Sequence, residues 1–453
     1  MSLISPLFLF VCLPAALAIY SFVPKAAKKS AIAVICTVFY LIANIKNPFA
    51  LLLMLATVIA VYAFSRLIDR QRGRKRVMCA HFLALVFLLS FLVLRFADPL
   101  GINPLCIEYP FGASVWLLCA ISCIFDVERG DAPPPSLIDA VTYVAYFPLM
   151  AAGPIVKYRK SIGMFSNINF SLSRAARGAE YFMLGFVKRF AVASVLFSFI
   201  ETISINVENG IGIVAIIEFC VILPIAVYAY FSGYSDMGVG VSLMFGIMPP
   251  ENFNKPLTAL SPIDYTKRFM SSLYDFAADY IGYIRPHEHA GRARRFFAKA
   301  SVFFFVIFWF ESDPFKLLAL LPISLLLAAF SERKRGNLPR FLKTLCICGT
   351  FVCTALFWGF LMLEDIGDFI PLATSVALDF RLSGSLFIYG ASMPKYLLSA
   401  IVTSLIVIVF DRVVRGDLPK LSNRALAITR MSVNFALVGM LAFTLFFYFP
   451  QFV

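Results

Sequence analysis

Polar residues that could do chemistry concentrate in residues 230–283 of a chain that is 60% hydrophobic. The stretch begins Y-F-S-G-Y-S-D-M-G and continues into a loop-like block, P-P-E-N-F-N-K-P, at 249–256. Polar groups at membrane depth are expensive, and they usually line a cavity or a path. Irregular backbone at that depth survives only where protein or water satisfies it. The stretch therefore predicts the lining of a binding site.

Asp236 is the acidic candidate in this stretch, since an aspartate among small residues in an apolar segment is a functional-site candidate. The alternative is a buried aspartate that accepts backbone N–H groups at a helix N-terminus. Lys267 and Arg268 either meet phosphates or extend to the membrane interface. The residues we expect to contact a ligand all carry hydrogen-bonding side chains: Tyr234, Ser235, Asn252, Asn254, Lys267 and Arg268.

The composition is that of a polytopic membrane protein. Charged residues make up 15% of the chain, whereas soluble domains average about 25%. The net charge of +14 does not indicate nucleic-acid binding, because membrane proteins collect Lys and Arg in cytoplasmic loops. The basic clusters lie at 25–29, 66–76, 157–160, 285–299, 333–343 and 412–430.

About eleven to thirteen membrane segments are expected, several of them too short to cross a bilayer alone. We predict an all-α, single integral membrane domain over residues 1–453, with its segments ringed around a central funnel and the basic clusters in the cytoplasm. Both termini are then expected outside, and the first apolar run is expected to be an uncleaved span because it lacks a positive n-region.

A second polar feature interrupts an apolar segment at residues 143–160, Y-V-A-Y-F-P-L-M-A-A-G-P-I-V-K-Y-R-K. Pro148 and Pro154 each remove a backbone hydrogen bond, so the segment is not one straight helix. It is either a re-entrant turn that delivers basic groups to an anionic ligand or a kinked span with cytoplasmic anchors. Both interpretations remain open.

The three histidines do not form a recognisable catalytic or metal site. His81 stands alone in an apolar span and is predicted to be a core residue, and His287 and His289 have no third ligand nearby. A metal site needs more ligands than this, and we expect no bound metal or cofactor. No hydrolase elbow, zinc-protease, Walker or dinucleotide-binding pattern occurs.

Several blocks resemble the membrane-bound O-acyltransferase family, in particular its alginate O-acetyltransferase membrane-subunit branch. They are I-F-D-V-E-R-G from Ile124, the block from Tyr143, L-G-F-V-K-R from Leu184, F-S-G-Y-S-D-M-G-V-G from Phe231, P-E-N-F-N-K-P from Pro250 and D-Y-T-K-R-F from Asp264. The resemblance implies a ring of helices around a funnel. It also implies an acyl donor such as acetyl-coenzyme A or another acyl thioester, used to O-acylate an extracytoplasmic polysaccharide.

The resemblance also implies two catalytic histidines, and this chain departs from the pattern at both positions. Met270 follows the basic-aromatic run where the family has a histidine, and Phe310 follows Trp309 where the family has its principal histidine. Neither side chain can accept or donate a proton, so neither serves as a general base or acid.

Two functions remain open. One is an acyltransferase that uses another base, with Asp236, Glu311 and Asp313 as candidates. The other is a catalytically silent homologue, or pseudoenzyme, that acts as a scaffold, acyl-ligand binder or regulator. In either case we expect an integral protein of a bacterial inner membrane. The expected partners are the lipid bilayer, an extracytoplasmic acetyltransferase and a cell-surface polysaccharide, and not nucleic acid.

Overall fold

The computed structural model describes residues 5, 7–45, 47–96, 109–205, 213–283, 291–331, 339–363, 409–415 and 423–448. Every regular element within these residues is helical. The all-α prediction is therefore confirmed for the part of the chain that the structure describes.

The helices follow the apolar runs of the sequence. The first half contains α1 (Leu13–Phe22), α2 (Lys28–Ala43), α3 (Pro48–Arg70), α4 (Gly73–Phe96), α5 (Ala113–Arg129), α6 (Leu137–Val144), α7 (Tyr158–Ser166), α8 (Leu172–Phe186) and α9 (Ser194–Ile205). The second half contains α10 (Ile213–Met244), α11 (Pro262–Arg268), α12 (Ser271–Tyr280), α13 (Arg292–Phe310), α14 (Pro314–Phe330), α15 (Arg340–Met362) and α16 (Asn423–Tyr448). A π-helical turn, Val187–Ala193, joins α8 to α9, and residues 409–415 are also helical.

Six helical stretches among the described residues are long and apolar enough to cross a membrane. A span needs about 20 predominantly apolar residues, and each of the six has an 18-residue window with at most two charged residues. The chain is thus a polytopic membrane protein. The total of eleven to thirteen segments, their ring arrangement and the topology stay predictions, and most of the expected segment at 395–411 lies outside the described residues. The six are Lys25–Ala43, Pro48–Arg70, Gly73–Phe96, Leu172–Glu201, Glu218–Met244 and Arg340–Met362.

The chain forms two compact units, each built from separate stretches of sequence. Unit 1 comprises Met1–Ala179, Met237–Asn252 and Ser272–Ala290, and unit 2 comprises Glu180–Asp236, Phe253–Ser271 and Gly291–Val453. The polar stretch 230–283 contributes residues to both units. The prediction of a single domain concerns the chain as a whole, and it stays a prediction.

Unit 1 is organised around α5, which packs against α3 and α4. Almost every side chain of α5 is buried, and Trp116 is fully so. In the same unit Gly238 lies against the Pro148 carbonyl, where an added Cβ would come within 2.3 Å of the oxygen. Only a glycine permits this close approach of two backbones. The prediction that His81 is a core residue is wrong. His81 lies on the exposed face of α4, and its ring is hydrogen-bonded to the Val77 carbonyl at 2.8 Å.

Unit 2 contains a helical hairpin in which α13 packs along α14. The turn between them is determined by Asp313, whose carboxylate accepts the N–H of Phe315 at 2.7 Å and caps α14. Pro314 occupies the first position of α14, where its missing N–H costs nothing. This hairpin, together with α11 and α15, surrounds the cavity described below.

Candidate functional site

Asp236 belongs to a buried cluster of four charges in unit 2. Lys188 Nζ donates to Asp236 Oδ2 at 2.7 Å and to Asp411 Oδ1 at 2.5 Å. Arg415 donates to Asp236 Oδ1 at 2.8 Å and to Asp411 Oδ1 at 3.0 Å. We call these four residues the charge cluster. Two cations and two carboxylates balance, so the charge cluster has no net charge.

The alternative of an aspartate that caps a helix N-terminus is wrong for Asp236, whereas its assignment to a functional site stays a prediction. Asp236 lies in the C-terminal part of α10, far from any helix N-terminus, and its two oxygens accept from Lys188 and Arg415. Lys188 and Asp236 are buried, whereas Asp411 and Arg415 are partly exposed, so the pair of Lys188 and Asp236 is the best shielded from water and its Coulomb interaction is strong. The geometry favours a structural role for Asp236.

Unit 2 also contains a partly open cavity of about 1170 Å³ between α11, α13, α14 and α15. Most of its lining is aliphatic or aromatic, and polar side chains enter it mainly from α11 and the residues before it. Sites for small molecules have this composition, with an apolar wall and a few polar groups that orient the ligand. The polar side chains from this region are Ser261, Asp264, Tyr265, Thr266 and Lys267.

Aromatic side chains close one side of this cavity. Phe310 stands 5.0 Å from Trp358, 5.3 Å from Phe231 and 5.9 Å from Phe269, measured between ring centroids. We call these four residues the aromatic wall, and all but Phe231 line the cavity. Edge-to-face pairs at these distances are each worth about 0.5–1.5 kcal/mol beyond area burial. The ring of Phe310 therefore presents an apolar surface to the cavity.

Met270 occupies a strained backbone position between α11 and α12. Its φ is +50°, in the left-handed region, and its side chain is 2% exposed. That conformation costs a residue other than glycine about 1–2 kcal/mol. Asn, Asp and His populate the region several-fold more often than other non-glycine residues. Met270 is not among the residues that line the cavity.

Tyr265 is the titratable group buried at the aromatic wall. Its hydroxyl accepts a hydrogen bond from the Trp358 indole at 3.1 Å. Burial raises the pKa of Tyr265 well above its ordinary value, although this hydrogen bond lowers it in part. The hydroxyl therefore remains protonated at neutral pH. It can donate a hydrogen bond to a ligand carbonyl, but it cannot act as a base.

Glu311 and Asp313 hold the turn between α13 and α14. Glu311 is 7% exposed, and its Oε1 accepts the N–H groups of Ser312 and Asp313 at 2.8 Å each. Asp313 accepts from Phe315, as described above, so both carboxylates already bind backbone donors. Their geometry matches helix capping.

The predicted ligand-contacting residues are distributed over both units. In unit 1 the Asn252 amide donates to the Ala152 carbonyl at 3.3 Å and accepts from Ser272 Oγ at 2.6 Å, so it fixes the loop. In unit 2 the exposed Asn254 contributes its backbone N–H to the Arg268 carbonyl. Arg268 pairs with Asp264 at 2.8 Å, and Lys267 lines the cavity.

Tyr234 and Ser235 lie on α10 in unit 2. Ser235 is 2% exposed, whereas Tyr234 is partly exposed and stands beside Tyr230 and Arg189. Asp236 and Arg268, which we predict to face one cavity, share no contact in the described part of the chain. Each has its own partners, in the charge cluster and at Asp264 respectively.

Sequence reasoning missed a buried polar network in unit 1. Tyr280 donates from its hydroxyl to Asp126 Oδ1 at 2.7 Å and is bonded to Ser122 Oγ at 2.9 Å. Asp126 Oδ2 accepts the backbone N–H of Arg159 at 2.8 Å. Asp126 and Ser122 are completely buried, so no substrate reaches them and the network is structural. The one signal for this network in the sequence is that Asp126 is an acidic residue within an apolar run.

The basic end of segment 143–160 is neutralised within unit 1. Lys157 and Arg159 both bind Asp279, and Arg159 also binds Asp131 at 3.0 Å. Burial lowers the pKa of Arg159, but the charges of Asp126 and Asp279 outweigh it and hold that pKa above its ordinary value. Because these cations already have carboxylate partners, the structure favours the interpretation of residues 143–160 as a kinked span with basic anchors over a re-entrant turn that binds an anionic ligand.

Metal chemistry finds no support in the described residues, where no group of three His, Cys, Asp or Glu side chains could hold an ion. His287 and His289 lie outside those residues.

Comparison with protein families identifies a match over most of the chain. The family model described as MBOAT, membrane-bound O-acyltransferase family, matches residues 33–363. This range contains α3 to α15 and includes the unit 2 cavity, the aromatic wall and Met270.

Three kinds of curated relative are similar to parts of the chain. A probable alginate O-acetylase AlgI of Azotobacter vinelandii is 32% identical over 190 residues, 40% of this chain and 37% of the relative. A peptidoglycan O-acetyltransferase of Helicobacter pylori is 28% identical over 32% of this chain and 28% of the relative. A teichoic acid D-alanyltransferase of Streptococcus thermophilus is 22% identical over 49% and 54%. The chain thus spans less than two fifths of the length of the alginate O-acetylase it matches.

Proposed function

Because the chain belongs to the membrane-bound O-acyltransferase family, we propose that it binds the acyl group of a thioester in the unit 2 cavity and transfers it slowly or not at all. The observation that carries this proposal is a large apolar cavity bounded by Phe310, at the position where the family resemblance implies the principal histidine. In this proposal the chain is a catalytically silent homologue that still binds an acyl ligand in the unit 2 cavity.

The character of the cavity supports the binding half of the proposal. Its volume of about 1170 Å³ is slightly above the range of small-molecule sites, which run from about 300 to 1,000 Å³. Each methylene of an acyl chain buried against its walls contributes about 0.8 kcal/mol. Lys267 and the Tyr265 hydroxyl provide donors for the carbonyl and for negatively charged parts of the donor. Acetyl-coenzyme A and longer acyl thioesters are the proposed ligands.

The lack of a proton-transferring group at positions 270 and 310 supports the second part of the proposal, that acyl transfer is slow or absent. General acid–base catalysis contributes typically about 10²–10⁴-fold, and neither Met270 nor Phe310 can supply it. The alternative bases are engaged elsewhere: Asp236 in the charge cluster, Glu311 and Asp313 in the turn between α13 and α14. The acyltransferase that uses another base is therefore the less favoured proposal.

The biological setting follows from the relatives, whose names describe modification of alginate, peptidoglycan and teichoic acid. We place the chain in a bacterial cytoplasmic membrane, in a pathway that acylates a cell-surface polysaccharide. In that setting it would hold an acyl ligand for, or regulate, an extracytoplasmic acetyltransferase that completes the reaction.

Filling the cavity provides the first test. Ala319 lines the cavity on α14, so Ala319→Trp places an indole where we propose that the acyl chain lies. We expect radiolabelled octanoyl-coenzyme A to bind purified wild-type protein and to bind Ala319→Trp about tenfold more weakly or worse, a loss of about 1.4 kcal/mol. Equilibrium dialysis in detergent measures both affinities.

Leu318→Trp is the matched control for this test. Leu318 is the neighbouring residue on α14, it is 69% exposed, and it does not line the cavity. This variant should bind octanoyl-coenzyme A as wild-type protein does. Equal affinities for all three proteins, or no binding by the wild type, would contradict the assignment of the cavity to the acyl group.

A further inference from the structure

Arg189 carries a charge into the middle of an apolar run. The run extends over residues 181–200 and is part of a candidate membrane span. Arg189 lies about nine residues from either end, which is roughly 13 Å along a helix, farther than its side chain extends. A cation at this depth is costly unless a partner neutralises it, and such residues mark binding sites or ion paths.

The neighbouring lysine and Arg189 differ sharply in their partners. Lys188 binds two carboxylates and completes the neutral charge cluster. Within the part of the chain that the structure describes, Arg189 makes no ion pair, and its side-chain oxygen partners are Ser194 Oγ at 3.5 Å and the Tyr230 hydroxyl. Arg189 Nε is buried with no acceptor. A guanidinium has five donors and no acceptor, so most of its hydrogen-bonding capacity here is unused.

Aromatic rings hold the guanidinium in place. Its central carbon lies 4.2 Å from the Tyr230 ring centroid, 5.0 Å from that of Phe190 and 5.4 Å from that of Tyr234. Tyr230 and Tyr234 are one turn apart on α10, with centroids separated by 5.4 Å, and the Tyr230 side chain is hydrogen-bonded to both Arg189 and Tyr234. Cation–π contacts orient the charge, but they do not satisfy its N–H groups.

Close packing of two backbones creates this arrangement. An added Cβ on Gly233 would lie 2.9 Å from the Arg189 backbone nitrogen, so only glycine lets α10 approach the π-helical turn so closely. That turn shifts the helical register, as π-bulges at functional sites often do. Arg189, Tyr230 and Tyr234 are each partly exposed, so the donors remain accessible to a ligand.

We propose that Arg189, Tyr230 and Tyr234 form a binding site for a phosphate group, which we call the arginine–tyrosine site. The guanidinium fork binds two non-bridging oxygens of a phosphate in a bidentate manner, and the phenol hydroxyl that is not used in the Tyr230–Tyr234 hydrogen bond donates to one of them. The phosphate comes either from a phospholipid headgroup or from a soluble phosphate, and both present two non-bridging oxygens to the guanidinium.

Two probes distinguish these sources in purified full-length protein. Native mass spectrometry measures retained phosphatidylglycerol after reconstitution in nanodiscs, and thermal unfolding in lipid-free detergent measures stabilisation by inorganic phosphate. At least one probe should bind wild-type protein, and Arg189→Gln should bind it about tenfold more weakly, as expected for lost hydrogen bonds to a charged group. Lipid binding alone identifies a headgroup, and phosphate binding alone identifies a soluble ligand.

Arg66→Gln is the matched control, because Arg66 also lies over a tyrosine ring, Tyr62 at 4.4 Å, but on an exposed face of α3. The Arg66→Gln variant should bind phosphatidylglycerol or inorganic phosphate with the affinity of the wild-type protein. If Arg189→Gln does not fold, Tyr230→Phe/Tyr234→Phe retains both rings, removes both hydroxyls and should bind several-fold more weakly. Unchanged affinity in these variants, or no binding of either probe by the wild type, would overturn the site. Ala319→Trp should leave phosphate binding intact, so the proposal is independent of the acyl cavity.

Discussion

Replacement of Lys188 by Met is expected to destabilise the protein by about 3–5 kcal/mol, the usual cost of removing one partner from a buried ion pair. Lys188 is 1% exposed and neutralises both Asp236 and Asp411. Without it, the buried Asp236 and the partly exposed Asp411 share Arg415 alone. The thermal unfolding midpoint of the detergent-purified variant, compared with wild type, measures the loss.

Two further variants separate the charge cluster from general effects of mutation. Lys188→Met combined with Asp411→Asn leaves one cation and one carboxylate, and it should recover part of the lost stability. Arg268→Gln breaks the partly exposed pair with Asp264, whose side chains are 33% and 30% exposed, and it should cost less than about 1 kcal/mol. A Lys188→Met protein as stable as wild type would show that the cluster does not hold unit 2 together.

Introducing histidines at positions 270 and 310 is expected to raise acyl transfer from a thioester to water by about 10²-fold over wild type. Histidine exchanges protons near neutral pH, and Phe310 already faces the proposed donor site. The left-handed backbone at Met270 accommodates histidine better than methionine, so the double variant Met270→His/Phe310→His should fold. Release of free coenzyme A from octanoyl-coenzyme A measures the gain.

Phe304→His is the matched control for this gain. Phe304 lies on the same helix, is partly exposed as Phe310 is, and does not line the cavity. It should release coenzyme A no faster than wild type. An equal gain in Phe304→His would indicate nonspecific hydrolysis, and no gain in a folded double variant would mean that a missing base does not limit transfer.

The sequence predicted the helices, which depend on local composition. It did not predict the ion pairs, which depend on how the helices pack. Apolar runs long enough to span a bilayer identified the helices. Pro148 correctly indicated a break, since α6 ends at Val144 and Pro148 lies in a short 3₁₀ turn, Phe147–Leu149. The partners of Asp236 lie 48 and 179 residues away. No local pattern indicates such pairs, because only the packing of helices brings them together.

Two signals in the sequence could have located more of the site. Lys188 and Arg189 are adjacent cations within an apolar run, and the cost of charge at membrane depth predicts that each needs a partner or a ligand. Asn252 illustrates an ambiguity: its amide suggests a ligand contact, which stays a prediction, and in the structure it binds Ser272 and the Ala152 carbonyl. A hydrogen-bonding side chain satisfies a backbone loop as readily as it binds a substrate, and sequence alone does not distinguish the two.

The central claim is that the unit 2 cavity binds an acyl thioester and that the protein does not turn it over. One measurement tests both the binding and the absence of turnover. Purified wild-type protein is incubated with radiolabelled octanoyl-coenzyme A, and bound ligand and free coenzyme A are followed in the same sample. We predict saturable binding, with coenzyme A released no faster than from buffer alone. Robust release by the wild-type protein would refute catalytic silence, and absence of saturable binding would refute the acyl-ligand binder itself.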